Sequence, residues 1–289
     1  MSACAIACCP GHLSGYFRPI YGRDPGSTGS LGAGIVISEG VTTTVWISDI
    51  TKISVERRDS GTGTLIEALT SAPPVEYMLM KMGVTARVRT ECSLPIGAGF
   101  GLSAAALLST ATAVNELFSL DLSPFECGAF AHEAEIVHKT GLGDVAACMG
   151  GGRDCRKGAG IKAVIDRKFD LPDTLCAVVF GPLPSPQVLG SPEAMARVIQ
   201  AYPGRCPRNA MDFFHLSRKF TIGSGLAPPE VLSALSACER AGIPATMTML
   251  GNGVFAFGEE ALHVLSGMGD TYILHPAEKG VHLVEGIRK

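Results

Sequence analysis

One stretch of this sequence has the residue types and spacing to hold a phosphate group. It is Pro95-Ile96-Gly97-Ala98-Gly99-Phe100-Gly101-Leu102-Ser103-Ala104-Ala105. Glycines at every second position let the backbone approach an anion closely and turn its N–H groups inward. A helix predicted to open near Ser103 aims the positive end of its dipole at the same point. Ser103 is placed to offer a hydroxyl to a phosphate-bound Mg²⁺, an ion that takes few protein ligands. A Walker A loop is excluded because the dipeptide Gly-Lys occurs nowhere in the chain. The pattern Gly99-x-Gly101-x-x-Ala104 formally fits a dinucleotide fingerprint, whose acidic partner would be Asp121. Asp121 follows a predicted helix, whereas that fingerprint needs a strand there. A glycine turn with no ligand is the third reading.

A second candidate is Thr140-Gly141-Leu142-Gly143-Asp144, a carboxylate displayed on a glycine turn just after a helix. Such a group could orient or deprotonate an attacking hydroxyl, or simply cap a helix. Glu133 and Glu135 lie on the preceding helix. A helical wheel puts Glu133 nearer the apolar stripe of Phe125, Ala129, Phe130, Ile136 and Val137, with Glu135 further out. Arg23, Arg153 and Arg156 stand in glycine-rich stretches, Arg156 following Gly150-Gly151-Gly152 soon after Asp144, and by type each is an ordinary surface arginine unless the substrate is anionic. The loop Asp24 to Ser30 offers the hydroxyls of Ser27 and Thr28, in what could equally be an ordinary turn.

The elements that must position these residues follow from pattern. Residues 34–38, 41–48 and 53–57 read as strands, and 84–90 alternates as a half-buried strand. The first nine residues read as a strand. Residues 103–118 read as a helix of small and apolar residues. Ser123-Pro124-Phe125-Glu126 opens another with a capping box, running to about Lys139. Beyond a strand at 175–180 and a proline-rich loop at 181–186, helices are expected at 192–201, 208–221 and 228–241. A hairpin over 245–257, a helix at 259–267 and a strand at 272–275 complete the chain. The lack of a regular β-α-β-α rhythm argues for an α+β fold, with a boundary between two packed halves near 160–172.

Composition narrows the function classes. The 289 residues carry 24 Lys+Arg against 27 Asp+Glu, a net charge of −3, so no basic footprint for nucleic acid or anionic lipid exists. Charged residues are 18%, below the roughly 25% of an average domain. No apolar run is long enough to span a membrane. The ten cysteines are scattered without a C-x-x-C pair, so neither zinc nor a disulfide framework is indicated, and reduced, buried thiols in the cytoplasm are expected.

The segment Pro95 to Ala105 resembles the second motif of the GHMP kinases, P-x-x-x-G-L-G-S-S-A-A, with Phe100 for Leu and Leu102 for the first Ser. Cys9-Pro10-Gly11-His12-Leu13 resembles their first motif, and Thr246 to Gly253 a diverged third. Within the superfamily the closest resemblance is to the archaeal pantoate kinases. It is carried by Pro10-Gly11-His12, Thr28-Gly29-Ser30-x-Gly32-Ala33-Gly34, Ala131-His132-x-Ala134-Glu135, Thr140 to Val145 and Met249-Leu250-Gly251-Asn252.

The resemblance implies an N-terminal ATP-binding domain of the ribosomal-protein-S5-domain-2-like type over 1–165. A ferredoxin-like C-terminal domain would follow over 166–289. It implies phosphorylation of the primary hydroxyl of pantoate to 4-phosphopantoate in coenzyme A synthesis. ATP would be bound by Pro95, Gly97, Gly99, Gly101, Leu102, Ser103 and Ala104, and Mg²⁺ by Ser103 and Glu135. Asp144 and His12 would be catalytic, and Ser27, Thr28 and Arg156 would bind substrate. His12 stands where many GHMP kinases have Lys, with a charge expected to depend on pH. A homodimer is a family-level expectation. Two alternatives stay open: a kinase of another hydroxy acid or a mevalonate-like compound, and a nucleotide- or metabolite-binding regulator that lost transfer.

Overall fold

The computed structural model describes residues 3–183 and 185–288. Met1 and Ser2 of the expected first strand, and Pro184 of the proline-rich loop, lie outside the described residues. In chain order the elements are β1 (Cys4–Ile20), β2 (Gly29–Ile47), β3 (Lys52–Arg58), β4 (Leu65–Leu69), α1 (Pro73–Met82), β5 (Ala86–Cys92), α2 (Leu102–Phe118), α3 (Pro124–Val137) and α4 (Asp144–Cys148). There follow β6 (Arg153–Arg156), β7 (Ile165–Lys168), β8 (Leu175–Gly181), α5 (Ser185–Leu189), α6 (Pro192–Ala201), α7 (Ala210–Ser224) and α8 (Pro229–Arg240). The chain closes with β9 (Ala245–Met247), β10 (Asn252–Phe257), α9 (Ala261–Leu265), β11 (Asp270–Leu274) and β12 (His282–Arg288).

Two sheets organise these elements. The first has the order β12-β1-β2-β5-β3-β4, with β6 and β7 added beside the other end of β2. Among the described residues only β3 and β5 pair in parallel within it. The second is the antiparallel sheet β11-β8-β10-β9, with α6, α7 and α8 among its helices. Strand β7 straddles the expected boundary at 165/166 and β12 lies well past it, yet both pair into the first sheet.

Helix α2 is the centre of the first half, packed against β1, β2, α3 and α4. Leu102, Ala104, Ala105, Leu107, Leu108, Ala111, Ala113, Val114 and Leu117 are all buried, as expected for a helix apolar on nearly every side. Its alanines let neighbours approach closely. The polar Ser109 is accommodated by Thr43 of β2 at 2.7 Å and by the Ala105 carbonyl at 2.7 Å. Helix α3 begins with the expected capping box, Ser123 and Glu126 each holding the other's backbone N–H, a device that contributes about 1 kcal/mol.

Several expectations need correction. The first strand runs on to Ile20, well past Cys9, and β4, α1, α4, β6, β7, α5 and β12 were not anticipated, α5 taking up the end of the expected proline-rich loop. Strand β6 was hidden because Arg153, Asp154, Cys155 and Arg156 carry little β-propensity; pairing with β2 fixes it instead. Asp121, by contrast, follows α2 as expected, at φ 54° in the connection to α3. The thiol expectation fails at one pair: Cys155 of β6 and Cys206, before α7, form a disulfide with Cα atoms 5.8 Å apart. Their separation of 51 residues makes the pairing invisible to a search for C-x-x-C spacing. Among the described residues no helix is long and apolar enough to cross a membrane.

Candidate active site

The glycine loop leads from β5 into α2. Gly97, Gly99 and Gly101 have φ of 77°, 86° and 66°, the left-handed region that a side chain would strain. Gly101 occupies the N-cap of α2, and no side chain caps that end. The first N–H groups of the helix are therefore left for a ligand. A Cβ on Gly99 would come within 3.0 Å of Thr248 and Gly251, so the diverged third motif forms the opposite wall of the loop.

These segments surround a cavity of about 350 Å³ lined by Gly97, Gly99, Gly101, Leu102, Ser103 and, across from them, Met249 and Leu250. Its far end is apolar, with Val55, Leu69, Pro73, Pro74 and Ile96, and suits a base and ribose. Two expected ATP residues do not reach it. Ala104 is buried in the core against the sheet, and Pro95 turns the chain into the loop without lining the cavity.

At the phosphate end stand His12 and Asp144. His12 lies on β1 between two irregularities in its pairing with β2, one between Cys9 and Gly11 and one between Ser14 and Tyr16; such bulges re-aim side chains. Its backbone N–H donates to the Phe100 carbonyl at 2.8 Å, tying strand to loop. Gly34 of β2 leaves room for the imidazole: a Cβ there would lie 2.1 Å from Nε2. Gly32 leaves room in the same way for Arg156, whose Nη2 would lie 2.9 Å from such an atom. The run Gly32-Ala33-Gly34 thus opens a slot between strands.

A buried chain of alternating charge fills that slot. His12 Nδ1 is 2.6 Å from Asp144 Oδ1, and its Nε2 is 2.7 Å from Asp154 Oδ1. Arg156 Nη1 donates to Asp154 Oδ2 at 2.5 Å. The side chains of His12 and Asp154 are fully buried, whereas Asp144 keeps 19% exposure towards the cavity. Burial alone would push His12 down; the charges and hydrogen bonds of Asp154 and Asp144 outweigh it and push it up to about 10. Burial likewise opposes ionisation of Asp144, but the His12 hydrogen bond and the charges of His12 and Arg156 hold it below the usual carboxylate range. The charge of His12 was expected to vary with pH; its two carboxylate partners hold it protonated through neutral pH.

Glu135 and Glu133 are resolved by the fold. Glu135 is buried, while Glu133 faces outward and pairs with Lys81 at 2.9 Å and Tyr77 at 2.7 Å. The helical wheel pointed the other way because Phe125 and Val137 are 59% and 45% exposed. The inner face of α3 is built from Cys127, Gly128, Ala131 and Ala134, too small to register as an apolar stripe. Glu135 Oε1 accepts from the backbone N–H groups of Asp144 (3.1 Å) and Val145 (3.3 Å), and Oε2 meets His132 Nδ1 at 3.1 Å. It therefore holds the start of α4 in position. Burial raises its pKa, the hydrogen bond from His132 opposes this, and the charge of Asp144 adds to the rise.

A Cβ on Gly141 would come within 2.5 Å of Glu135 Oε1 and 2.8 Å of Asp144 Oδ2, so the two carboxylates flank this glycine. Ser103 lines the cavity, while Glu135 stands one layer behind it. Among the described residues no three His, Cys, Asp or Glu side chains converge as a metal cage. The Ser103 hydroxyl at the wall, with the Glu135 carboxylate behind it, is the kind of oxygen donor a hard cation accepts when it takes its other ligands from phosphate and water.

The substrate-binding expectations divide. Arg156 is on strand β6, not in a loop, and lines a recess of about 20 Å³ with Ser30, Gly143 and Asp144; the recess shares Ser14, Asp144, Met249 and Leu250 with the main cavity. Arg156 Nε is buried there without a hydrogen-bond partner. Ser27 and Thr28 reach neither space. The Ser27 hydroxyl donates to Asp24 Oδ1 at 2.8 Å, and that of Thr28 to the Asp24 carbonyl at 2.9 Å, closing a short 3₁₀ turn. Of the other arginines, Arg23 is exposed, and Arg153 points away to Asp170 at 2.8 Å. Asp154 and Ser14 were missed, whereas Ser30, the last residue of the loop offered to substrate, does line the recess. Had 153–156 been read as a strand, its period of two would have put Asp154 and Arg156 on one face.

Comparison with known proteins agrees with this geometry. Residues 70–152 match the family model described as GHMP kinases N terminal domain. A pantoate kinase of Methanospirillum hungatei is 42% identical, over 98% of this chain and 97% of its own. The chain belongs to the GHMP kinases. A pantoate kinase of Thermococcus kodakarensis is 30% identical over 91% of this chain and 92% of its own. A solved structure titled as a phosphotransferase related to the CoA biosynthesis pathway superposes with a TM-score of 0.79 at 25% identity, covering 97% of this chain and 98% of that one. As a GHMP kinase the protein is an ATP-dependent small-molecule kinase with the α+β fold of that family.

Proposed function

We propose that this GHMP kinase transfers the γ-phosphoryl group of ATP to the primary hydroxyl of pantoate, giving 4-phosphopantoate and ADP for coenzyme A synthesis. The observation that carries the acceptor is Arg156. A buried guanidinium with an unpartnered Nε borders a recess that opens beside Asp144. It matches a small hydroxy acid whose carboxylate is held at one end while its hydroxyl lies at the other. The pantoate kinase relatives support the same substrate.

The chemistry then needs little beyond positioning and charge. Backbone N–H groups of the loop and of the first turn of α2 hold the phosphates. The acceptor oxygen forms a bond to the γ-phosphorus as the bond to the β–γ bridging oxygen breaks, and ADP leaves. Asp144, held ionised by His12, directs its free oxygen Oδ2 at the acceptor hydroxyl. It takes the proton as the bond forms and passes it to solvent through its exposed edge. A low carboxylate pKa makes Asp144 a better orienter than base, so the proton leaves late. Ser103 and Glu135 would hold Mg²⁺, which when bound neutralises charge on the phosphate oxygens.

The test is ADP release with ATP, Mg²⁺ and pantoate, beside homoserine, mevalonate and no acceptor. Release confined to pantoate, with the phosphorylated product seen by mass spectrometry, is expected. Release with another acceptor would overturn the substrate and leave the mechanism. Measurable ATP binding with no release from any acceptor would favour the regulator reading.

A further inference from the structure

The arrangement around His12 assigns a role to a residue on the far side of the ring from the cavity. We propose that Asp154 is a positioning residue, which fixes His12 as a doubly hydrogen-bonded imidazolium and through it holds Asp144 aimed at the acceptor hydroxyl. The inference rests on the reading of Asp144 given above.

Geometry requires the pair. Both ring nitrogens of His12 face carboxylate oxygens, at 2.6 and 2.7 Å. A neutral imidazole carries one N–H, so one lone pair would then point at a carboxylate oxygen at contact distance. Only the imidazolium donates to both. Yet Arg156 Nη1 stands 3.5 Å from His12 Nε2, and two buried cations at that distance repel unless a negative group joins them. Asp154 is that group, one oxygen on each, with its own side chain fully buried. Remove its charge and burial favours the neutral ring, whose single proton stays on Nδ1 against Asp144 without the positive charge that holds this carboxylate ionised. Asp144 then exchanges a charge-assisted hydrogen bond for a weaker neutral one, and Ser14 at 3.4 Å is too distant to make up the difference.

The groups facing the ring are Asp144 and Cys148 from α4 and Asp154 and Arg156 from β6, with Arg167 of β7 acting on Asp154 from behind. Burial opposes ionisation of Asp154 as well, but the charges of Arg156 and His12 hold it well below the usual range. The charges and hydrogen bonds of the two aspartates are what raise His12 against its burial. The rise of His12 to about 10 is what this arrangement produces.

The experiment compares wild type with Asp154→Asn and Asp154→Glu. For Asp154→Asn we expect kcat to fall by at least about ten-fold with ATP affinity within about two-fold of wild type. The alkaline limb of its kcat profile should move from near pH 10 towards the ordinary histidine range. Any loosening of Arg156 registers separately, as a raised KM for pantoate. Asp154→Glu keeps the charge but not the reach, so kcat should fall while the alkaline limb stays high; this variant carries the test where Asp154→Asn does not fold. Ring-nitrogen NMR of ¹⁵N-histidine-labelled protein reads the pair without turnover, and expects an imidazolium at neutral pH in wild type that is lost in Asp154→Asn. A neutral His12 in wild type overturns the inference. So does an unmoved alkaline limb in Asp154→Asn, or full kcat in Asp154→Glu. Absence of turnover by wild type with every acceptor overturns the functional reading and this inference with it, and is recognised because it precedes any variant.

Discussion

The two halves of the site are built on opposite plans. The phosphate loop is contiguous, from Gly97 to Ser103, and works through its backbone, with three glycines in the left-handed region and an uncapped helix end. The acceptor side is assembled from His12, Asp144, Asp154 and Arg156, on a long strand, a short helix and a short added strand, and works through buried side-chain charge. A site made from backbone geometry depends on φ angles and tolerates most changes of neighbouring side chains. A site made from alternating charges depends on every member, because removing one leaves its partner buried and unpaired.

The contrast makes its strongest claim on Asp144. Asp144→Ala should lower kcat about 10²- to 10⁴-fold while ATP affinity, measured by equilibrium dialysis, changes little. Equal losses in both would mean that α4 itself had moved. Next in size is Glu135→Gln, which should raise the Mg²⁺ concentration for half-maximal rate by about 10- to 100-fold; an unchanged Mg²⁺ titration would leave Glu135 only as the brace of α4.

The backbone half is broken differently. Gly99→Ala places a side chain at φ 86° and within 3.0 Å of Gly251. Strain of about 1–3 kcal/mol should appear as a rise in KM for ATP of about ten-fold or more, with kcat at saturating ATP spared. A kcat loss without a KM change would merge the two halves into one unit. The smallest effect is expected at Glu133→Gln, on the outer face of α3. Losing the exposed pair with Lys81 should change stability by less than about 1 kcal/mol and leave turnover as it was, as a denaturant midpoint and a standard assay would show.

Much of this was legible in advance, and the reasons are physical. The capping box at Ser123 and Glu126, the buried helix after the loop and the strand before it all depend on residues within a few positions of one another. The misreadings share a different cause. Glu133 was set nearer the core because phenylalanine looks buried, whereas the core side of α3 needs alanine and glycine to let α2 and α4 come close. Ser27 and Thr28 were offered to substrate because free hydroxyls look available, and Asp24 claims both in a local turn. The one signal for Asp154 was its place two residues before Arg156, which speaks only if 153–156 is read as a strand. Its meaning comes from β6 pairing with β2 opposite Gly34, which the sequence around it does not announce.

The sequence by itself determined the glycine loop, the helix that follows and the carboxylate of Asp144 on its glycine turn, because φ preferences, capping and periodicity are properties of neighbours in the chain; the family and the candidacy of His12 came from the resemblance of its motifs. Tertiary structure alone decided that His12 is a fixed cation, that Asp154 and Arg156 complete its chain and that Glu135 faces inward. Those side chains meet across separations of 132 and 142 residues for the two partners of His12. At such distances only strand register, and the glycines that leave room beneath the ring, bring opposite charges within hydrogen-bonding reach.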